Sequence, residues 1–192
     1  MSTYDSDHAA ILKLHTDWRT ANGGLNIPLM QTVFPAGDAY LMFNLNGHPY
    51  FGIDEKTTLW EYYQTRLATK MSRVRIMRFD IGADMAYIAS EGVFPSNIRE
   101  LDGAGEPIDG AQHVLTSAND VLIRTTEIYK RDDGLGNPVW KMWHYHCSPL
   151  PAADEPRPAF GDTIRSRGLG RVPGQETVSA ITALERFHLL ET

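Results

Sequence analysis

Only one of the 192 residues is cysteine, Cys147, so no disulfide can close within the chain, and a reducing compartment is the natural expectation. Nothing approaches 18 consecutive apolar residues, which argues against a membrane-spanning helix. The opening stretch MSTYDSDHAAIL has no positive region followed by an apolar one, so a secretory signal is not expected and the chain reads as cytoplasmic. Positive charge is scarce: 18 Lys and Arg face 24 Asp and Glu, for a net charge of −6. The densest basic cluster, RVRIMR (73–78), alternates with apolar residues as a solvated strand does, so neither nucleic acid nor a membrane is an expected partner. Internal repeats and low-complexity tracts are missing. GLGRVPG (168–174) resembles a phosphate loop only superficially, without a preceding strand, a GK[ST] ending or a following acidic ribose ligand.

What is present reads as an ordinary folded domain, 42% hydrophobic and 22% charged. DSDHAAILKLHTDWRTANGG (5–24) predicts a helix capped by Ser6 or Asp7 and stopped at Gly23–Gly24; Ile11, Leu14 and Trp18 recur at helical spacing, with Leu12 and His15 beside them. NIPLMQTVF (26–34) predicts a short second helix with Asn26 as cap and Pro28 in its first turn. A hairpin around Asn46–Gly47 follows, then a third helix starting at Asp54 or Thr57. After that the period becomes two. Strands are expected over 73–81, 85–94, 121–131 and 139–148, with a Gly-, Pro- and Asp-rich loop at 95–112. Residues 1–148 are expected to form one domain, and 149–192 an extension ending in an amphipathic helix that docks on its own or a neighbouring subunit.

Taken in order, three features carry a resemblance: the early helix ahead of FPAGDAYL, the segment GHPYFGIDEKTTLWEYY, and the closing pattern of Arg131, Asp132, Asp133, Gly134, Trp140, Lys141, His144, His146 and Ser148. Residues 7–148 thereby resemble the nuclear transport factor 2-like (SnoaL-like, ketosteroid isomerase-like) superfamily. The resemblance implies an α+β fold, a curved antiparallel sheet wrapped into a cone whose open side the helices close. It also implies an apolar pocket for a small hydrophobic or aromatic molecule, acid–base chemistry without a cofactor, and a homo-oligomer (dimer or trimer). One departure is visible. Dehydratases and dehalogenating relatives pair an Asp at the end of the first helix with a His in mid-sheet; here the helix end reads NGGLN and residues 71–82 contain no histidine.

The candidate site residues follow from strand parity. In WKMWHYHCSPL (140–150), Trp140, Met142, His144, His146 and Ser148 share one face by twos, and Lys141, Trp143, Tyr145 and Cys147 the other. If the first face lines the cone, His144 and His146 are acid and base; otherwise they are hydrogen-bonded core. Two histidines with no third ligand following do not predict a metal site. His48, at the hairpin tip, is either catalytic or an exposed turn residue. Tyr40 either donates to a developing oxyanion or fills core. Asn44, Trp140, Met142, Arg124 and Tyr63 are expected to line the substrate, Arg124 alternatively pairing with Glu91 or Asp80. Glu127, Tyr129 and Tyr87 are assigned to the outer face. The expected activity is a lyase acting on a small aromatic compound. The aromatic-rich hairpin, acidic tail and missing dyad are similar to relatives that cleave lignin-derived diaryl-propane diols to formaldehyde and a stilbene. The alternatives are a dehydratase, isomerase or polyketide-type cyclase, and a non-catalytic module that binds a hydrophobic ligand.

Overall fold

The computed structural model describes residues 3–149 apart from 66, 69, 95–98, 101, 103, 105 and 107–120. The C-terminal extension and most of the loop expected at 95–112 lie outside the described residues. Helices α1 (Thr3–Gly24), α2 (Ile27–Val33) and α3 (Gly52–Gln64) combine with strands β1 (Leu41–Phe43), β2 (Pro49–Phe51), β3 (Leu67–Ala68), β4 (Arg73–Ile81), β5 (Met85–Phe94), β6 (Arg99–Glu100), β7 (Val121–Arg131) and β8 (Trp140–Pro149). Among the described residues no helix is long and apolar enough to cross a membrane.

Six strands form one sheet in the order β2-β1-β8-β7-β5-β4, and β3 pairs with β6 separately. All neighbours are antiparallel except β1 and β8, which run parallel. The sheet is therefore mixed, where a wholly antiparallel one was expected. Helix α1 packs against both β8 and β4, although two strands separate them in the sheet. One helix can touch both only if the sheet curls around it, which is the cone geometry.

Local chemistry explains the helix ends. Asn26 caps α2, its side-chain oxygen accepting from the Leu29 N–H at 3.0 Å. Helix α3 starts two residues earlier than Asp54, at Gly52, whose φ of +71° only glycine adopts readily; a Cβ there would lie 2.7 Å from the Asp38 Cα. The Glu55 carboxylate accepts from the Phe51 N–H at 2.6 Å, serving the start of the helix in place of a capping side chain.

Helix α1 also starts earlier, at Thr3, so Asp7 is not its cap. Asp7 begins the buried stripe Asp7, Ile11, His15, Trp18 and Ala21. Its carboxylate accepts from both terminal nitrogens of Arg131, at 2.9 and 2.5 Å, and from the Trp140 indole N–H at 2.9 Å. This fork ties the start of α1 to the far ends of β7 and β8. Arg131, and after it Trp140, holds the Asp7 carboxyl below its ordinary value of 3.8. The unfolded chain thus takes up that proton more readily than the native one. The stability gained is present above about pH 4 and is lost as acid protonates the native carboxylate. Asp7→Asn should accordingly lower the thermal midpoint by several degrees at neutral pH, with the gap to wild type closing as the pH falls below the ordinary carboxylate range. A gap that persists unchanged in acid, by circular dichroism melts, contradicts the assignment.

Candidate active site

The inner face of the sheet is defined by register. Across it, Met42, Tyr145, Glu127, Ile88 and Phe79 form one row. Cys147, Thr125, Ser90 and Ile76 form the next row, and Met142, Tyr129, Ala86 and Ile81 the row on the other side. Most of these residues are buried, and the partly buried Phe79, Ile76 and Ile81 pack against the same core.

Strand β8 does not keep one parity. Ile128 pairs with His144, but its neighbour Tyr129 pairs with Met142, which leaves Trp143 as an extra residue in a β-bulge. The Trp143 indole N–H donates to the Asp132 carbonyl at 2.7 Å, and the Lys130 ammonium sits 4.3 Å over its ring. These contacts hold the bulge. Beyond it the faces exchange: Trp140 and Met142 point inward, then Tyr145 and Cys147 do. The expectation that His144 and His146 line the interior is corrected accordingly. His144 is half-buried and His146 exposed on the outer face. Both meet the edge of Phe43, which is itself 45% exposed, with ring centroids 5.4 and 5.9 Å apart. Burial, chiefly, lowers the His144 pKa below its ordinary value.

Other expected residues separate in the same way. His48 is exposed at the hairpin tip, its N–H donating to the Asn46 side chain at 3.1 Å. Arg124 lies on the outer face, paired with Glu91 at 2.9 Å. Asn44 is half-buried beside the hairpin, its side chain accepting from the Leu45 N–H. Tyr63 is half-buried, its hydroxyl accepting from Asn46 at 3.2 Å, and burial pushes its pKa up to about 12. Tyr40, Trp140 and Met142 are buried. Glu127 and Tyr129, assigned to the outside, are inside: Glu127 is 2% exposed. The register of β7 puts them there with Thr125, while Tyr87 is exposed as expected.

The residues that do gather on the inner face come largely from polar positions on apolar stripes. His15 Nδ1 lies 2.8 and 3.0 Å from the two carboxylate oxygens of Glu127, and the Tyr129 hydroxyl donates to the same carboxylate. A carboxylate only accepts, so this pairing places an imidazole proton on Nδ1 and leaves Nε2 as the ring nitrogen that Glu127 does not engage. Arg19, one turn further along α1, donates from Nη2 to the Ser72 carbonyl at 2.5 Å, while its buried Nε has no partner. Burial lowers its pKa, and Glu127 and Tyr145 oppose that. Burial and the Glu127 charge push the Tyr40 and Tyr129 phenols well above 10, so both remain proton donors. The Tyr40 hydroxyl is fully buried and unpaired.

Lys56 is the other unexpected member. It lies on the inner stripe of α3 with Gly52 and Trp60, and is 1% exposed. Its amine contacts the Met42 sulfur and sits 5.1 and 5.2 Å from the Trp18 and Trp60 ring centres. The two indoles are themselves stacked at 5.6 Å. Burial lowers Lys56 to about 7 and raises the neighbouring Cys147 thiol to about 12. Among the described residues no group of three His, Cys, Asp or Glu could hold a metal ion.

Comparison with known proteins bears on the fold. No family model matches the chain, and no curated protein matches its sequence. Solved structures do match in shape. A ketosteroid isomerase-like protein from Erwinia carotovora atroseptica superposes with a TM-score of 0.53 at 14% identity, covering 74% of this chain and 95% of the other. A candidate dehydratase of the NTF2-like family from Streptomyces avermitilis gives 0.53 at 16% identity, covering 78% and 100%. An NTF2-like protein of unknown function from Shewanella oneidensis gives 0.51 at 10% identity, covering 74% and 98%. The fold is NTF2-like. At these identities the likeness concerns the NTF2-like architecture, and the chemistry rests on the chain's own residues.

Lys56 supplies a test of this interior. Between about pH 7 and 10.5 the unfolded lysine holds a proton that the native one has lost. Native stability therefore rises with pH across that window, and the cost of burying the amine is greatest below it. Lys56→Met should raise the thermal midpoint, most strongly at or below pH 7, and the gain should shrink towards pH 10.5. A variant that melts below wild type throughout means the amine is paired or solvated.

Proposed function

We propose that the inner face of the cone is the active site of a cofactor-independent acid–base enzyme, a lyase, dehydratase or isomerase acting on a small aromatic or alicyclic substrate. The observation that carries this reading is the buried His15–Glu127 pair with Tyr129 on the same carboxylate. A carboxylate hydrogen-bonded to Nδ1 fixes the tautomer and stabilises the imidazolium formed when Nε2 takes a proton. His15 is the base in this reading. Tyr40, with an unpaired buried hydroxyl, is the donor to a developing oxyanion or a leaving hydroxyl. Trp18, Trp60, Phe34 and Tyr145 make the surroundings aromatic, which suits a flat ring.

Within this class the specific reaction proposed from sequence is C–C cleavage of a diaryl-propane diol to formaldehyde and a stilbene. In that version His15 removes the proton of the terminal alcohol after loss of the benzylic hydroxyl. The roles first given to His144, His146 and His48 thus pass to His15 and Tyr40. The NTF2-like solved structures include an isomerase-like protein and a candidate dehydratase, and these reactions need the same base and donor without a released fragment.

The assay is turnover of two substrate sets: diaryl-propane diols read by formaldehyde release, and β-hydroxyketones or β,γ-unsaturated ketones read by ultraviolet absorbance. His15→Ala and Glu127→Gln should each lower kcat by about 10²–10⁴-fold with a far smaller change in KM, while His146→Ala stays within twofold of wild type. Equal activity in His15→Ala and wild type on an accepted substrate would overturn the assignment.

A further inference from the structure

The acid–base reading uses His15, Glu127 and Tyr40 and leaves Lys56 without a role. A lysine in a folded protein ordinarily carries its ammonium to water along an apolar stem, or pairs it with a carboxylate. Lys56 does neither. Its amine is enclosed by Trp18, Trp60 and Met42, and no carboxylate among the described residues lies within salt-bridge distance of it. The titratable group nearest in effect is the buried Cys147 thiol.

A second observation lies next to it in register. Cys147 pairs with Thr125 across β8 and β7, and Thr125 pairs with Ser90 across β7 and β5. The Thr125 and Ser90 hydroxyls, on residues 4% and 3% exposed, have no hydrogen-bond partner among the described residues. Buried hydroxyls nearly always find partners within a fold, so two adjacent ones without one are unused hydrogen-bonding capacity on this face. Ser90, Thr125 and Cys147 thus form one buried cross-strand row, and its last member is the thiol that acts on the Lys56 amine.

We propose that Lys56 is a carbonyl-condensing amine, and that Thr125 and Ser90 hold the oxygen or hydroxyl substituents of the aldehyde or ketone it takes. An amine enclosed by apolar walls is the arrangement that keeps a lysine nucleophilic at neutral pH. The Nζ lone pair forms a C–N bond to the carbonyl carbon, and the C=O π pair takes a proton to give a carbinolamine. That proton is one of the two on the nitrogen; loss of the carbinolamine hydroxyl with the second nitrogen proton, as water, leaves the C=N bond, so one amine and one carbonyl become one imine and one water. The proposal does not rest on proton transfer by His15, and the two stand or fall separately.

The test is reductive trapping on the full chain with glycolaldehyde and cyanoborohydride near pH 7, followed by peptide mass mapping. The adduct should favour Lys56 over Lys13, Lys70, Lys130 and Lys141 severalfold, because its amine is the one enclosed by Trp18, Trp60 and Met42. Lys56→Met should lose that adduct and leave surface labelling as it was. Thr125→Val and Ser90→Ala remove hydroxyls with no partner among the described residues; they should keep the thermal midpoint and slow Lys56 labelling several-fold. His15→Ala should still be labelled, which separates this result from a failure of the acid–base reading. Label confined to the surface lysines, or Lys56 labelling that neither hydroxyl variant slows, overturns the proposal.

Discussion

A buried carboxylate in the middle of a curved sheet has to be matched, and Glu127 is matched twice, by His15 from α1 and by Tyr129 two residues along its own strand. Isolated, such a charge in an apolar interior would cost several kcal/mol. The pairing therefore ties the position of α1 on the sheet to the position of one imidazole. The Asp7 fork does the same at the other end of α1, fixing it to Arg131 and Trp140. Between these two polar anchors the helix buries Ile11, and beyond His15 it buries Trp18 and Ala21. Two specific contacts thus orient a helix that packing of aliphatic side chains alone would leave free to slide.

That coupling explains why so much of the fold was legible and so little of the site. Helix and strand periods are local, and the Asn46–Gly47 hairpin, the Asn26 cap and the four long strands follow from residues within a few positions of one another. Inside and outside are not local once a strand carries a bulge. In 140–149 the alternation is regular by sequence, and nothing in the letters marks Trp143 as the extra residue. Its indole is held by the Asp132 carbonyl and Lys130, contacts that exist only after β7 and β8 pair. A one-residue shift moves every side chain beyond it to the opposite face, which is why His144 and His146 exchange places with Tyr145 and Cys147.

The signal that was readable lay elsewhere, in polar residues set into apolar stripes. Asp7, Ile11, His15, Trp18 and Ala21 keep helical spacing, and two of the five are titratable. Gly52, Lys56 and Trp60 keep it on α3. On β7, Ile123, Thr125, Glu127 and Tyr129 alternate with more exposed residues. Starting each stripe from its aromatic member, Trp18, Trp60 or Tyr129, and asking which polar residues share it would have yielded His15, Lys56 and Glu127. Local breaks between pattern and polarity are where functional positions are expected.

The remaining step concerns why an interior would hold these groups at all. An apolar set of side chains would stabilise the same sheet and helices without a buried amine, two open hydroxyls on Thr125 and Ser90, an open phenol on Tyr40 or an open Arg19 Nε. Each of these is a liability to folding, since a buried polar group without a partner costs about 1–3 kcal/mol. They are not scattered. Tyr40 and Arg19 both lie within the field of the Glu127 carboxylate; Thr125 and Ser90 are one row away, and Lys56 reaches the same inner face through Met42, the cross-strand partner of Tyr145. Surplus hydrogen-bonding capacity concentrated on one face of the sheet, beside the buried His15–Glu127 pair, is the capacity that the proposed site would turn toward a molecule other than the protein itself.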